Sequence, residues 1–184
     1  MQDSENTRPT PPPELGIEET EDLRLAVERP GGRHRLIRAA LWVPRPAEAI
    51  WQILSDYETL PEFIPNLAVS RRLPHPEGGI RLEQVGLQPV LKVNFRARVV
   101  LDLIECCPER IEFKLVEGDF QVFAGFWALE PQGGGTDVIY QVQVCPKVTL
   151  PVGLVERRLT RDLHTNLTAL RQQVLEVCPE VPIP

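Results

Sequence analysis

The sequence predicts an α+β protein in which a curved antiparallel sheet of six to seven strands wraps around one long C-terminal helix. Three observations support this prediction. Apolar and polar residues alternate with period two in several segments between residues 67 and 144, and short loops rich in Pro and Gly separate these segments. An apolar stripe of helical period covers residues 151–177, and two shorter helical patterns follow the first strand.

The clearest strand is predicted at residues 91–103, where apolar residues occupy the odd positions and Lys92, Asn94, Arg96 and Arg98 begin the even ones. This alternation indicates a sheet with one apolar face and one hydrated face. The other strands are predicted at 34–43, 67–73, 80–87, 111–115, 120–129 and 138–144. Because short loops join consecutive strands from 67 onwards, an antiparallel meander is the favoured topology.

The long helix is predicted to cover the apolar face of the sheet and to leave space beside it. At 1.5 Å per residue it is about 40 Å long, which matches the width of a whole sheet. A helix is only about 10 Å wide, so it cannot fill a concavity built from six or seven strands. We therefore expect an apolar cavity between the sheet and the C-terminal helix.

The two short helices are predicted in the stretch "PAEAIWQILSDYETLPEFIPN". Pro61 and Pro65 bracket the apolar pair Phe63 and Ile64, and these prolines confine the second helix to a short segment. We expect Phe63 and Ile64 to lie at the mouth of the cavity, as part of a lid more than of the core.

The chain of 184 residues is predicted to form one domain between two tails. Residues 1–22 hold seven acidic residues and one arginine and include "PTPPPE", which predicts a disordered acidic tail. Residues 23–33 are an uncertain lead-in, 34–178 the domain and 179–184 a C-terminal tail. Beyond residue 22 the chain has nineteen acidic and nineteen basic residues, which argues against nucleic-acid binding through a basic surface.

No secretory signal pattern and no run of about 18 apolar residues is visible in the sequence. The four cysteines include no C-x-x-C pair, and Cys106 and Cys107 would point to opposite faces of a strand. Reduced cysteines in a cytoplasmic protein are the expected state.

The order of elements and three stretches of sequence resemble the START-like helix-grip superfamily (SRPBCC). The stretches are "PAEAIWQILSDYETLPEFIPN", "VEGDFQVFAGFWALEP" and "PVGLVERRLTRDLHTNLTALR". Within that superfamily the chain is most similar to the polyketide cyclase/dehydrase and coenzyme-Q-binding group, over residues 34–178. The resemblance implies a helix-grip fold in a group that contains ligand carriers and a few cyclases. It also implies that Phe123, Gly125, Trp127 and Leu129 face inward and that Phe126 faces outward.

No catalytic, metal or cofactor site is predicted. His34, His75 and His164 have no Cys or Asp at metal-ligand spacing, and the sequence contains no nucleophile elbow, G-x-G-x-x-G or P-loop. Tyr140 is the one inward strand residue with a polar tip, and it could bond a ligand or simply the backbone of an ordinary core. Its ordinary pKa near 10 makes it a poor base at neutral pH.

Three hypotheses of function follow. The first is non-enzymatic binding or transport of a hydrophobic small molecule such as an isoprenoid quinone, lipid or pigment; the second is a polyketide-type cyclase or dehydratase; the third is a protein-interaction role. The arginines at 157, 158 and 161 are either a solvated face or a weak docking patch for a membrane surface. The predicted ligand pocket comprises Phe63, Ile64, Phe95, Ala97, Phe113, Phe123, Trp127, Tyr140, Val142, Leu159 and Leu163.

Overall fold

The computed structural model describes residues 16–19, 23–90, 93–149 and 151–179, with the side chains of 23–87, 96–149 and 151–179. In chain order the elements are β1 (Gly16–Glu19), β2 (Leu23–Gly31), β3 (His34–Val43), α1 (Ala47–Leu54), α2 (Leu60–Phe63), β4 (Leu67–Leu73), β5 (Ile80–Val90), β6 (Val93–Cys106), β7 (Arg110–Gly118), β8 (Phe120–Gln132), β9 (Gly135–Pro146) and α3 (Val152–Val177).

The strands form one antiparallel sheet in the order β1-β2-β3-β9-β8-β7-β6-β5-β4. Strands β4 to β9 follow one another as a meander, because short hairpins join each to the next. The last strand then returns to β3, with Arg35 opposite Val144 and Val43 opposite Thr136. The third and the last strands in chain order therefore pair in the interior of the sheet, and β1 and β4 form its edges.

The α+β helix-grip architecture predicted from the sequence is confirmed, with a correction to the start of the sheet. The described residues contain nine strands instead of six or seven, because β1 and β2 precede residue 34. Leu23, Leu25 and Val27 are buried on one side of β2, a three-residue alternation too short to stand out in the sequence. Strand β1 lies within the segment predicted as a disordered tail, and the rest of that segment lies outside the described residues.

Helix α3 packs on one face of the sheet through a buried stripe of Val155, Leu163, Leu167, Leu170 and Val174. It contacts β2, β3 and β9, and α1 and α2 also pack against it. With 26 residues it is about 39 Å long, comparable to the sheet's width. Within the described residues, no helix is long and apolar enough to cross a membrane.

The first turns of α3 are held to the sheet by ion pairs. Glu156 accepts a 2.6 Å hydrogen bond from Nη2 of Arg29 in β2 and another from Nε of Arg35 in β3. The hydrogen bond from Arg29 is the largest influence that holds the pKa of Glu156 below its ordinary value, and Arg35 adds to it against the opposing effect of burial. Strands β2 and β3 therefore fix where the helix begins.

Gly125 lies where β8 passes closest to its neighbours. A Cβ there would lie 1.9 Å from the carbonyl oxygen of Gln141 in β9 and 2.9 Å from a ring carbon of Phe113 in β7. Because the nearest atom belongs to the backbone, a side chain could be accommodated only by moving the strand. The close approach of three strands at this point depends on glycine.

Replacing Glu156 by Gln is expected to lower the free energy of unfolding by about 1–2 kcal/mol at neutral pH, because charge-assisted hydrogen bonds are lost. Since the folded-state pKa of Glu156 is depressed, its contribution is present above the unfolded pKa near 4.3 and is lost as pH falls through the lower folded pKa. Urea unfolding of the wild type and of Glu156→Gln, from neutral pH to below the unfolded pKa of Glu, measures this difference in the free energy of unfolding.

The matched control is Glu112→Gln, which removes the exposed pair between Arg110 and Glu112. Its effect is expected to stay within about 0.5 kcal/mol. Equal losses for Glu156→Gln and Glu112→Gln at neutral pH would contradict the anchoring role of Glu156.

Gly125→Ala is expected to destabilise the protein by about 1–3 kcal/mol, since overpacking against backbone forces a strand to shift. Gly153→Ala is the control, because no atom lies within 4 Å of a Cβ built at Gly153 in α3. That substitution should be neutral or stabilise the protein by up to about 1 kcal/mol. Thermal unfolding of the two variants compares them, and a Gly125→Ala variant as stable as wild type would refute the steric argument.

A candidate ligand cavity between the sheet and helix α3

A cavity of about 270 Å³ lies between the sheet and α3. This volume is just below the range of about 300–1,000 Å³ that small-molecule pockets occupy. Most of its wall is aliphatic or aromatic. The residues that line it are Ile37, Leu54, Tyr57, Leu60, Ile64, Asn66, Leu67, Leu82, Gln84, Gly86, Leu87, Ala97, Val99, Leu101, Leu103, Ile111, Phe113, Phe120, Phe123, Trp127, Tyr140, Val142, Val155, Arg158, Leu159, Asp162, Leu163, Asn166 and Leu170.

Aromatic side chains from β7, β8 and β9 form one part of this wall. The ring of Tyr140 lies 4.5 Å from that of Trp127 and 5.8 Å from that of Phe113, centroid to centroid. Phe113 in turn lies 5.8 Å from Phe123. Rings at these separations attract one another beyond the effect of area alone, so they provide a rigid surface.

The structure brings together nine of the eleven residues predicted for the pocket. Phe63 does not line the cavity: its side chain is partly buried and packs against the core beside Ile64, which does line it. The physical reason is that the two residues are adjacent at the end of α2 and point in different directions. The side chain of Phe95 lies outside the described residues, although its backbone belongs to β6.

Tyr140 presents a polar tip to the cavity. No side chain or backbone group among the described residues forms a hydrogen bond to its hydroxyl, and burial raises the pKa of Tyr140 above its ordinary value. The hydroxyl therefore stays protonated at neutral pH. It can donate a hydrogen bond to a ligand but cannot act as a base.

Tyr57 also lines the cavity, but its hydroxyl is committed elsewhere. It donates a 2.5 Å hydrogen bond to Oε1 of Glu105, and the guanidinium of Arg72 lies 5.3 Å from the ring centroid. Burial, followed by the contact with Glu105, raises the pKa of Tyr57. The two cavity tyrosines thus differ in whether the protein itself satisfies the hydroxyl.

Helix α3 contributes polar side chains that the sequence interpretation missed. Arg158 and Asp162 line the cavity with Nε and Oδ2 3.7 Å apart, and their side chains are 10% and 19% exposed. Asn166, one turn further along, accepts a 3.2 Å hydrogen bond from Nδ2 of Asn66, the residue that precedes β4. Gln84 of β5 lines the cavity as well.

The sequence carried a signal for this polar row. Residues 158, 162 and 166 each precede a member of the apolar row 159, 163 and 167, so they lie beside it on the helix. Arg158 was grouped with Arg157 and Arg161 as a solvated face or membrane patch. The structure corrects that grouping, because Arg158 faces the cavity whereas Arg157 and Arg161 are exposed.

The histidines lie away from the cavity wall formed by the described side chains. His75 is in the β4–β5 hairpin near Asp102, His164 is exposed on α3, and His34 begins β3. Among the described residues no group of three or more His, Cys, Asp or Glu side chains is placed to hold a metal ion. The cysteines at 106, 107, 145 and 178 are not disulfide-bonded.

The chain belongs to the family described as polyketide cyclase / dehydrase and lipid transport, whose model matches residues 43–171. The match begins at the last residue of β3 and ends within α3, so it includes every residue that lines the cavity except Ile37 of β3. No curated protein is matched by the sequence.

Solved structures share the fold at low sequence identity. A STAR-related lipid transfer protein from Xanthomonas axonopodis is 18% identical, with a TM-score of 0.68 over 87% of this chain and 98% of that chain. Human STARD10 is 13% identical, with a TM-score of 0.70 over 88% and 73% of the two chains. Zhui aromatase/cyclase from Streptomyces is 15% identical, with a TM-score of 0.65 over 79% and 97%.

Tyr140→Phe is expected to change the free energy of unfolding by less than about 0.5 kcal/mol, because the described residues form no hydrogen bond with that hydroxyl. Tyr57→Phe is the matched variant and should cost about 1 kcal/mol, because it removes the bond to Glu105. Denaturant unfolding of the protein without added ligand compares them. A larger loss for Tyr140→Phe than for Tyr57→Phe would show that the Tyr140 hydroxyl has a partner in the folded chain.

Proposed function

We propose that this protein binds or carries a hydrophobic small molecule in the cavity between the sheet and α3, without catalysing a reaction. The observation that carries the proposal is the cavity itself, whose wall is mostly apolar and includes a cluster of aromatic rings. An isoprenoid quinone, another lipid or a pigment has the chemistry that such a wall favours. Membership of a family whose description includes lipid transport supports the same proposal.

The driving force would be removal of apolar surface from water. At about 25 cal/mol per Å², a ligand that buries about 300 Å² gains about 7.5 kcal/mol before the cost of immobilising it. Affinities in the micromolar range or weaker are therefore expected for ligands of this size. The pocket residues predicted from the sequence that line the cavity would supply much of this contact.

Access to the cavity would involve the segment between α2 and β4. Ile64 and Asn66 line the cavity from this segment, and Leu67 lines it from the first position of β4. The hydrogen bond from Asn66 to Asn166 joins the segment to α3. We propose that this segment, together with the lid predicted from Pro61 to Pro65, moves away from α3 to admit a ligand.

A cyclase or dehydratase acting on a polyketide-like chain is the second candidate, and Asp162 is the observation that favours it. This carboxyl lines the cavity, where an acid or base could act on a bound chain. Arg158 lies 3.7 Å from this carboxyl, so the group already has a partner within the protein. Tyr140 cannot supply a base at neutral pH, so we rank binding above catalysis.

Extraction of the purified protein with organic solvent, followed by mass spectrometry, is expected to release a hydrophobic compound. Binding can then be measured directly with the neutral dye Nile red and with the released compound. Ala97→Phe should weaken the binding of Nile red and of the released compound by about ten-fold or more, because the new ring occupies cavity volume.

Ala124→Phe is the control, because Ala124 follows the inward-facing Phe123 on β8 and therefore faces away from the cavity. It should leave binding unchanged. If the protein binds no hydrophobic probe, or if Ala97→Phe and Ala124→Phe bind as tightly as wild type, the cavity is not a ligand site. Turnover of a polyketide-like substrate that is lost in Asp162→Asn would favour the second candidate.

A further inference from the structure

We infer that the cavity selects an amphipathic ligand whose polar head carries no net charge, such as a carbonyl or hydroxyl compound, and that it rejects carboxylates, phosphates and amines. This inference rests on the proposed binding function and specifies the class of ligand. It comes from the charges in the cavity wall, because the apolar area alone would not define the head group of the ligand.

The described side chains that line the cavity include one positive and one negative group. These are Arg158 and Asp162, one turn apart on the same face of α3. Their atoms Nε and Oδ2 are 3.7 Å apart, and both side chains are largely shielded from water. The other polar lining residues, Asn66, Gln84 and Asn166 together with the two tyrosines, are uncharged. The described wall is therefore electrically neutral.

A neutral wall treats charged and uncharged heads differently. A carboxylate that approaches Arg158 also approaches Asp162, so the attraction and the repulsion largely cancel. The ligand would still lose the hydration of its charge on entering an apolar space, and that loss is large unless a partner compensates it. A positively charged amine is attracted by Asp162 and repelled by Arg158, and these two effects also largely cancel. Both kinds of charged head are therefore disfavoured relative to an uncharged one.

The same groups suit a neutral head that has hydrogen-bonding capacity. Arg158 offers donors and Asp162 offers acceptors, so one hydroxyl can interact with both. A carbonyl can accept from Arg158 or from the hydroxyl of Tyr140. Outside the cavity, Glu156 is bonded to Arg29 and Arg35. Arg157 and Arg161 are exposed to solvent, which screens their charges. Arg158 and Asp162, the charged groups of the described wall, therefore set the preference of the site.

The test compares four unbranched compounds of ten carbon atoms each: decanol, decan-2-one, decanoate and decylamine. Each compound is titrated into the wild-type protein with bound Nile red at neutral pH, below the concentration at which the compound aggregates, and displacement of the dye is measured. The alcohol and the ketone should displace the dye at concentrations lower by about ten-fold or more than the carboxylate and the amine require. This comparison needs only the wild-type protein, so it does not depend on the folding of a variant.

Two variants then reverse the selectivity. Asp162→Asn leaves Arg158 as the charged lining group and should raise the affinity for decanoate relative to decanol by about ten-fold. Arg158→Gln should do the same for decylamine. Arg157→Gln is the control, because it removes the same charge from the neighbouring, exposed position on α3 and should leave the order of affinities unchanged.

The outcomes separate this inference from the function on which it rests. If Nile red and all four compounds fail to bind, the binding function itself is wrong. If the dye binds but decanoate or decylamine displaces it as well as decanol does, the inference is overturned and the binding function stands. A variant Asp162→Asn that folds and binds decanol, yet gains nothing for decanoate, would also overturn it.

Discussion

One helix has to cover one face of a sheet that is far wider than itself. Nine strands at a spacing of about 4.8 Å span about 38 Å, whereas a helix is about 10 Å wide. Even a strongly curved sheet cannot close on such a helix along its whole width. Helix α3 therefore buries its stripe against β2, β3 and β9, and the inner face of the more distant strands is left to line a cavity. The short helices and the segment that follows them complete the wall on the far side.

The placement of α3 decides which of its residues face that cavity. Glu156 is bonded to arginines of β2 and β3, and Val155 is buried beside it, which sets the rotation of the helix about its axis at this end. The row that begins at Arg158 then lies over the space that the sheet does not fill. An anchor formed outside the cavity thus determines the chemistry inside it.

Much of the fold could be predicted from the sequence, because the relevant signals are local. The alternation in β6 and the helical period of α3 each extend over a dozen residues or more, and short hairpins left few alternative topologies. Strand β2 was missed because its alternation covers only Leu23, Leu25 and Val27 and is followed by Pro30. Its identity as a strand depends on pairing with β3, which is a tertiary contact.

The cavity wall was only partly predictable for a related reason. Period two identifies inward residues on a strand, so Phe113 and Tyr140 were found, and the family resemblance oriented the strand that carries Trp127. On a helix, the boundary between the buried stripe and the exposed face depends on what lies opposite, and Arg158 sits at that boundary. Phe63 and Ile64 are both apolar and adjacent in the chain, so the sequence does not distinguish them. In the structure Ile64 lines the cavity and Phe63 packs against the core.

The contact between Asn66 and Asn166 has a consequence for kinetics. A single hydrogen bond between neutral side chains contributes about 1 kcal/mol, which changes an equilibrium about five-fold. A hydrogen bond of this strength breaks often on the timescale of loop motion, so it would contribute little to the residence time of a ligand in the cavity. The residence time would then depend on the apolar surface area of the ligand. Ligands with longer chains would dissociate more slowly, while their association rates would stay about the same.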